Sequence, residues 1–304
     1  MTNAASGVIV EVEGLARSFR RKRALDGIDL HVTRGTVFGL VGENGAGKTT
    51  LVKHLLGSLR AKEGSVRVFG LDPVKHPVEV LSRIGYLSED RDLPGWMKVR
   101  ELMRYTQAFY PGWDTAYAEE LRERFDLPED ARIKNLSRGE KAKAGLLMAL
   151  AYRPELLLLD EPSSGLDPSA RRHILEAIVR TVADEGRTVV FSSHLLDEVE
   201  RVADVVAMIH EGRVVFQGAL DAIKERHHRL VLRFEVPQAY SPQIDGTLHV
   251  EGSGHEFTLL CDGALDYVKL QAQHAGAAVV EQGVPSLEEI FLARVGKRGA
   301  RAAS

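Results

Sequence analysis

Residues 42–49 read GENGAGKT and follow directly on the apolar run TVFGLV at 36–41. No other feature constrains the chain as tightly. A short apolar run bounded by turn-formers reads as a buried parallel strand. Here it opens into a glycine-rich loop, and residues 49–59 then carry helical spacing. The octet satisfies G-x-x-x-x-G-K-[ST] at every fixed position. Glycines in such a loop let backbone N–H groups face inward, and the following helix presents partial positive charge at its N-terminus. Together they form a cradle for phosphate oxygens. Gly42, Glu43, Asn44, Gly45, Ala46 and Gly47 are its candidate loop residues, with Thr50 just beyond. Lys48 would reach β- and γ-phosphates, and the Thr49 hydroxyl would ligate Mg²⁺.

A second apolar run ends in acid. Leu156-Leu157-Leu158-Leu159 precedes Asp160-Glu161. Four consecutive leucines suit a strand buried on both faces. Carboxylates at its end would stand at the edge where open α/β sheets bind ligands. Asp160 is the candidate Mg²⁺ ligand and Glu161 the candidate general base for an attacking water. A solvated acidic turn is the alternative, and the upstream phosphate loop argues against it.

Around these two runs the pattern alternates. Strands are expected at 8–10, 28–32, 65–69, 83–87, 188–192, 205–210 and 213–217, with helices at 170–183 and 195–202. That alternation implies a mostly parallel sheet with helices on its faces; an antiparallel β subdomain is expected beside it. Residues from about 91 to 153 change texture: 99–109, 115–125 and 140–151 have helical spacing, punctuated by Pro94, Pro111 and Pro128. This block reads as a helical insertion, with Phe109, Tyr110 and Trp113 expected in its core. Beyond residue 222, strands at 230–236, 247–250, 257–261 and 278–281 surround a helix at 265–275. The motif Ser286-Leu287-Glu288-Glu289 starts a last helix to about Val295, followed by a basic tail expected to fray. The expected fold is therefore an α/β P-loop core with a small C-terminal α+β appendage, divided as 1–222 and 223–304.

Composition narrows the function classes. Lysine plus arginine against aspartate plus glutamate leaves a net charge of −3, so no bulk attraction to nucleic acid or anionic lipid is expected. Cys261 is the single cysteine, which excludes an intrachain disulfide and a cysteine zinc cluster. No run approaches the ~20 apolar residues of a membrane-spanning helix. The first residues lack the basic and apolar regions of a signal peptide, so a cytoplasmic location is expected. The run Arg20-Arg21-Lys22-Arg23 reads as a solvated loop.

Further motifs sit in a recognisable order. Leu136-Ser137-Arg138-Gly139-Glu140 resembles the LSGGQ signature of ATP-binding-cassette (ABC) ATPases, and Ser164-Gly165-Leu166-Asp167 resembles their D-loop. His194 resembles the switch histidine, the stretch ending Leu87-Ser88-Glu89 the Q-loop, and Phe19 the adenine-stacking aromatic. The resemblance covers about residues 8–218. It implies an ATPase that binds ATP and Mg²⁺. Ser137 and Gly139 would meet the γ-phosphate of ATP held by an opposing cassette, so a second ATPase subunit is implied. His194 would contact the γ-phosphate and orient water, Asp167 would lie across the dimer interface, and Glu89 would sense Mg²⁺ or water.

Two departures stand out. Arg138 and Glu140 replace a glycine and the glutamine of the signature, and Glu89 replaces the Q-loop glutamine, so it accepts but donates no amide hydrogen bond. The helical block and the Ser286-Leu287-Glu288-Glu289-Ile290-Phe291-Leu292 ending resemble bacterial ATPases paired with a separately encoded membrane permease, often of exporter type. Such a subunit would sit on the inner face of the membrane through that partner. Leu93, Trp96 and Met97 fit either a groove for a permease helix or the core of the helical block. The rival classes are a soluble, non-transport ABC ATPase and a non-hydrolysing regulator. The short Lys48–Asp160 spacing leaves no room for a long coiled coil, and retention of Lys48, Thr49, Asp160, Glu161 and His194 argues against the regulator.

Overall fold

The structure, a computed structural model, describes residues 7–20, 22–183 and 186–302. Arg21 of the basic run lies outside the described residues. The chain divides into two compact units, Met1–Gln217 and Gly218–Ser304.

The first unit opens with two long strands, β1 (Val8–Phe19) and β2 (Lys22–Thr33), extending well beyond the 8–10 and 28–32 cores expected from sequence. They pair antiparallel, with Val10 opposite Val32 and Val12 opposite Leu30. After β3 (Val37–Val41) come the phosphate loop and α1 (Lys48–Leu55). That helix stops four residues short of the expected Leu59. Gly57 takes φ 69, and a Cβ there would stand 2.4 Å from the Pro73 carbonyl oxygen, so the chain must turn at that point. Strand β4 (Glu63–Val68) flanks β1 and completes a three-stranded antiparallel sheet in the order β2-β1-β4.

A short helix, α2 (Pro77–Leu81), leads to β5 (Ile84–Leu87). The helical block follows as α3 (Val99–Gln107), α4 (Thr115–Arg124) and α5 (Arg138–Leu150). The chain then alternates through β6 (Leu156–Leu159), α6 (Pro168–Ala183), β7 (Thr188–Ser193), α7 (Leu196–Val202), β8 (Val205–His210) and β9 (Arg213–Ala219). The large sheet has the order β5-β6-β7-β3-β8-β9. Strands β5, β6, β7, β3 and β8 run parallel. Valines and leucines of the antiparallel sheet, with Leu51 and Leu55 of α1, share one core with Leu40, Leu158 and Val190 of the large sheet. Burying both sheets' inner faces around α1 fixes the phosphate loop against a rigid base.

The aromatic residues of the helical block separate. Tyr110 stacks on Tyr152 with ring centroids 3.7 Å apart and planes within 9°, and the Tyr152 hydroxyl donates to the Ile84 carbonyl at 2.6 Å. Trp113 is half-buried. Phe109 is 64% exposed, against the expectation that it lies in the core. It sits past the end of α3, where its ring meets that of Tyr105 edge-on, and Tyr105 is itself exposed. Met97 is buried, Leu93 half-buried and Trp96 71% exposed, so the three are shared between core and surface.

The second unit starts at Gly218, within the end of β9, and its first helix is α8 (Leu220–Arg226), whose interior contains residue 222. Strands β10 (His227–Gln238), β11 (Thr247–Asp262) and β12 (Ala277–Gly283) form a sheet in the order β11-β10-β12. Helix α9 (Leu265–His274) packs Val268 and Ala272 against Leu230, Leu232, Phe257 and Leu259. Strand β11 is continuous where two strands were expected, and its pairing with β10 shifts register between Arg233↔Glu256 and Gln238↔Gly254, with the extra residues on β10. The last helix, α10 (Leu287–Ala302), runs past Val295 into the segment expected to fray. Among the described residues no helix is long and apolar enough to cross a membrane.

Candidate active site

Parallel pairing explains how distant motifs meet. Strand β7 lies between β6 and β3, so the chain leaves all three at one edge. The phosphate loop follows β3, Asp160-Glu161 follows β6 and His194 follows β7. This is the carboxyl edge at which open α/β sheets bind ligands.

The loop itself is shaped by close contacts. Gly47 takes φ 115, and a Cβ there would stand 2.5 Å from the Ala24 carbonyl oxygen and 2.8 Å from Leu25 Cδ2. Only glycine fits this point, where the loop turns into α1. A cleft of about 410 Å³ opens above it, lined by Phe19, Lys22, Asn44, Gly45, Gly47, Lys48, Thr49, Thr50, Glu89 and Glu161 among others. Phe19, 43% exposed, forms part of its wall and has the Arg17 guanidinium 4.9 Å from its ring centroid. Glu43 and Ala46 line an adjoining cleft with Lys22, Arg23 and His210. Gly42 is buried at the exit of β3.

Charges at the floor of the cleft are arranged around Glu161. Lys48 and Glu161 are about 5% and 4% exposed, and Lys48 Nζ lies 3.0 Å from Glu161 Oε1. Lys48 also donates to the Gly42 carbonyl at 2.6 Å and the Glu43 carbonyl at 3.2 Å. The other Glu161 oxygen, Oε2, is 2.7 Å from His194 Nδ1. The Glu161 backbone sits at φ 49, a conformation side-chain-bearing residues rarely adopt. Strain of this kind persists only where surrounding contacts fix it. Part of that fixing comes from Ser192, whose hydroxyl accepts from the Glu161 N–H at 2.9 Å and donates to Asp160 Oδ1 at 2.7 Å. Sequence reasoning missed Ser192, although its place at the end of β7 beside His194 was a usable signal. Burial first, and then the Asp160 charge, pushes the nearby Tyr86 phenol up to about 12.

Glu198 is a second residue the sequence did not single out. It is buried and accepts from Ser163 at 2.5 Å and from Ser193 at 3.3 Å, and Arg171 Nε is 3.0 Å from its other oxygen. It thereby joins the loop after Glu161 to the strand before His194 and to the start of α6.

Ser137 and Gly139 stand at the N-terminus of α5, apart from the cleft. The Ser137 hydroxyl accepts from the Glu140 N–H at 3.2 Å while Glu140 Oε2 accepts from the Ser137 N–H at 2.7 Å. Glu140 is thus the partner in a capping box, a role glutamine also fills. A Cβ on Gly139 would stand 2.9 Å from the Ala170 Cβ and 3.8 Å from Asp167 Oδ2, so the signature helix and the D-loop pack against each other. Asp167 caps α6, accepting from the Ser169 and Ala170 N–H groups, and the second of these holds its carboxyl below the usual range. Among the described residues no three His, Cys, Asp or Glu side chains converge as a metal cage.

A parallel-sheet P-loop core with a carboxylate–histidine pair facing the loop lysine defines a nucleotide-hydrolysing cassette. Comparison with known proteins agrees. The family described as ABC transporter matches residues 25–164. The daunorubicin/doxorubicin resistance ATP-binding protein DrrA of Streptomyces peucetius is 32% identical, over 94% of this chain and 92% of that protein. The bacitracin transport ATP-binding protein BcrA of Bacillus licheniformis is 28% identical over 95% and 97%. A solved ATP-binding subunit of an ABC transporter is 30% identical with a TM-score of 0.65, covering 71% of this chain and 92% of its own. The chain belongs to the ABC transporter family as an ATP-binding, ATP-hydrolysing subunit.

Proposed function

We propose that Glu161 is the general base of ATP hydrolysis and His194 its orienting partner. The observation that carries this reading is the contact of one buried carboxylate with both Lys48 and His194. In the reaction a water oxygen bonds to the γ-phosphorus, the bond to the β–γ bridging oxygen breaks, and the water proton passes to the Glu161 carboxylate. Lys48 would follow the β- and γ-phosphate charge, and His194 would hold Glu161 and the γ-phosphate in line. Phe19, on the cleft wall, would stack on adenine.

Thr49 and Glu89 line the cleft and Asp160 follows β6 beside Glu161; their hard oxygens would suit Mg²⁺, an ion that takes most of its ligands from phosphates and water. When bound it would neutralise charge on the phosphates.

Two such subunits would close head to tail, with Ser137 and Gly139 of one completing the site of the other. The exposed edge of Asp167 beside the signature helix supports this. The partner implied beyond the dimer is an integral permease, which would hold the subunit on the inner face of the membrane. Relatives named for drug resistance and bacitracin transport support an exporter. Purifying tagged full-length protein from membranes tests this. Recovery of a multi-span membrane protein is expected; ribosomes or DNA with no permease would overturn it.

A further inference from the structure

The loop from Glu161 to Asp167 carries the proposed base at one end and the D-loop aspartate at the other. Its backbone carbonyls follow a regular division. The Glu161 carbonyl accepts from the Ser164 N–H at 3.1 Å and the Ser163 carbonyl from the Leu166 N–H at 3.2 Å. The two carbonyls in alternation with these, Pro162 and Ser164, both accept from one atom, Arg91 Nη2, at 3.0 and 2.8 Å. Pro162 is buried, so its carbonyl would lose a full hydrogen bond without the guanidinium.

Arg91 is itself held in an uncommon state. Its φ is 50, and its side chain is partly buried. A residue takes on both costs only where its contacts over-determine it. It stands two residues after Glu89, which lines the nucleotide cleft, and two before the half-buried Leu93. Arg138 Nη1 reaches the same turn from the signature helix, 3.6 Å from where a Gly165 Cβ would sit. A planar guanidinium sets direction as well as distance, and lysine does not reproduce that geometry.

We propose that Arg91 is a positioning residue for hydrolysis: by holding the Pro162 and Ser164 carbonyls it fixes the loop that aims Glu161. It touches none of the reacting atoms. Loop and base are one short stretch of chain, so loss of the clamp moves the carboxylate and leaves the phosphate cradle intact. This rests on the reading of Glu161 as base.

The test compares steady-state ATP hydrolysis and ATP affinity of the full-length chain as wild type, Arg91→Ala, Arg91→Lys and Glu161→Gln. A misplacement of about 1 Å costs on the order of 10²-fold in rate. Arg91→Ala is therefore expected to lower kcat by about 10- to 100-fold with ATP affinity and KM near wild type, and Arg91→Lys to recover part of the loss. An Arg91→Ala kcat at the wild-type value, or a parallel loss of kcat and ATP affinity, overturns the proposal while Glu161→Gln remains inactive. Normal hydrolysis by Glu161→Gln overturns both readings together. Should Arg91→Ala fail to fold, Arg91→Gln, which keeps an amide donor, carries the same comparison with the same two outcomes.

Discussion

His194 Nδ1 stands 2.7 Å from Glu161 Oε2, while Lys48 Nζ stands 3.0 Å from the opposite oxygen. The carboxylate is shared between the His194 imidazole and the Lys48 side-chain nitrogen. Its burial strengthens both contacts, because little water screens them. Glu161→Gln preserves shape and removes the basic lone pair and the charge. Turnover should fall by about 10²- to 10⁴-fold with ATP binding retained, as measured by single-turnover hydrolysis and equilibrium binding. Unchanged turnover would sink the role assigned to Glu161.

Lys48 should act on binding itself. A charge-assisted contact to phosphate contributes roughly 1.5–3 kcal/mol, and each ~1.4 kcal/mol is tenfold in affinity. Lys48→Ala should therefore raise the Kd for ATP by about tenfold or more. Calorimetry that returned wild-type affinity would contradict the phosphate-loop assignment.

Gly47→Ala tests the shape of the loop. The φ of 115 and the 2.5 Å approach to the Ala24 carbonyl oxygen leave no room for a methyl group. The strain should cost more than ~1 kcal/mol, lower Tm and weaken nucleotide binding together. An alanine variant with wild-type Tm and affinity would show that the loop does not approach β2 this closely.

Glu140 departs from the family signature and closes a capping box. Its hydrogen bonds to Ser137 hold its carboxyl below the usual range. A depressed carboxyl pKa stabilises the fold above the unfolded value near 4.5 and loses that contribution as pH falls through the lowered one. Glu140→Ala should cost about 0.3–1.5 kcal/mol at neutral pH. Glu140→Gln should keep the cap and flatten this part of the acid dependence. Denaturant unfolding between pH 3 and 7 separates the two.

His227 is the corresponding group in the second unit. It is buried at the start of β10; one ring nitrogen lies 2.6 Å from the Ile223 carbonyl and the other accepts from Arg294 at 3.0 Å. Burial lowers its pKa below 6.5, more than the Ile223 carbonyl raises it. The unfolded chain then binds more protons than the folded one just below pH 6.5, so stability rises with pH there. The stability that neutral His227 allows should be fully present above its unfolded value of 6.5 and be lost progressively as pH falls below it toward the lowered value. His227→Gln should reduce that slope in denaturant unfolding followed by probes in residues 218–304. An unaltered slope would assign the pH dependence to other groups.

Local sequence determined the elements that carry chemistry. GENGAGKT and the leucine run ending in Asp160-Glu161 are continuous in the chain, and their glycine spacing and burial pattern are local physics. Strand edges, the stop of α1 at Gly57 and the unbroken β11 were not legible, because pairing partners and close approaches set them. Phe109 was misread for the same reason, since an aromatic residue at helical spacing says nothing about whether anything packs over it. The site itself exists only in three dimensions. The order β6-β7-β3 brings residues 48, 161 and 194 within hydrogen-bonding reach, and Ser192, Glu198 and Arg91 act through contacts across long stretches of chain. Motifs name the candidate groups; the strand order and buried polar contacts decide where those groups point.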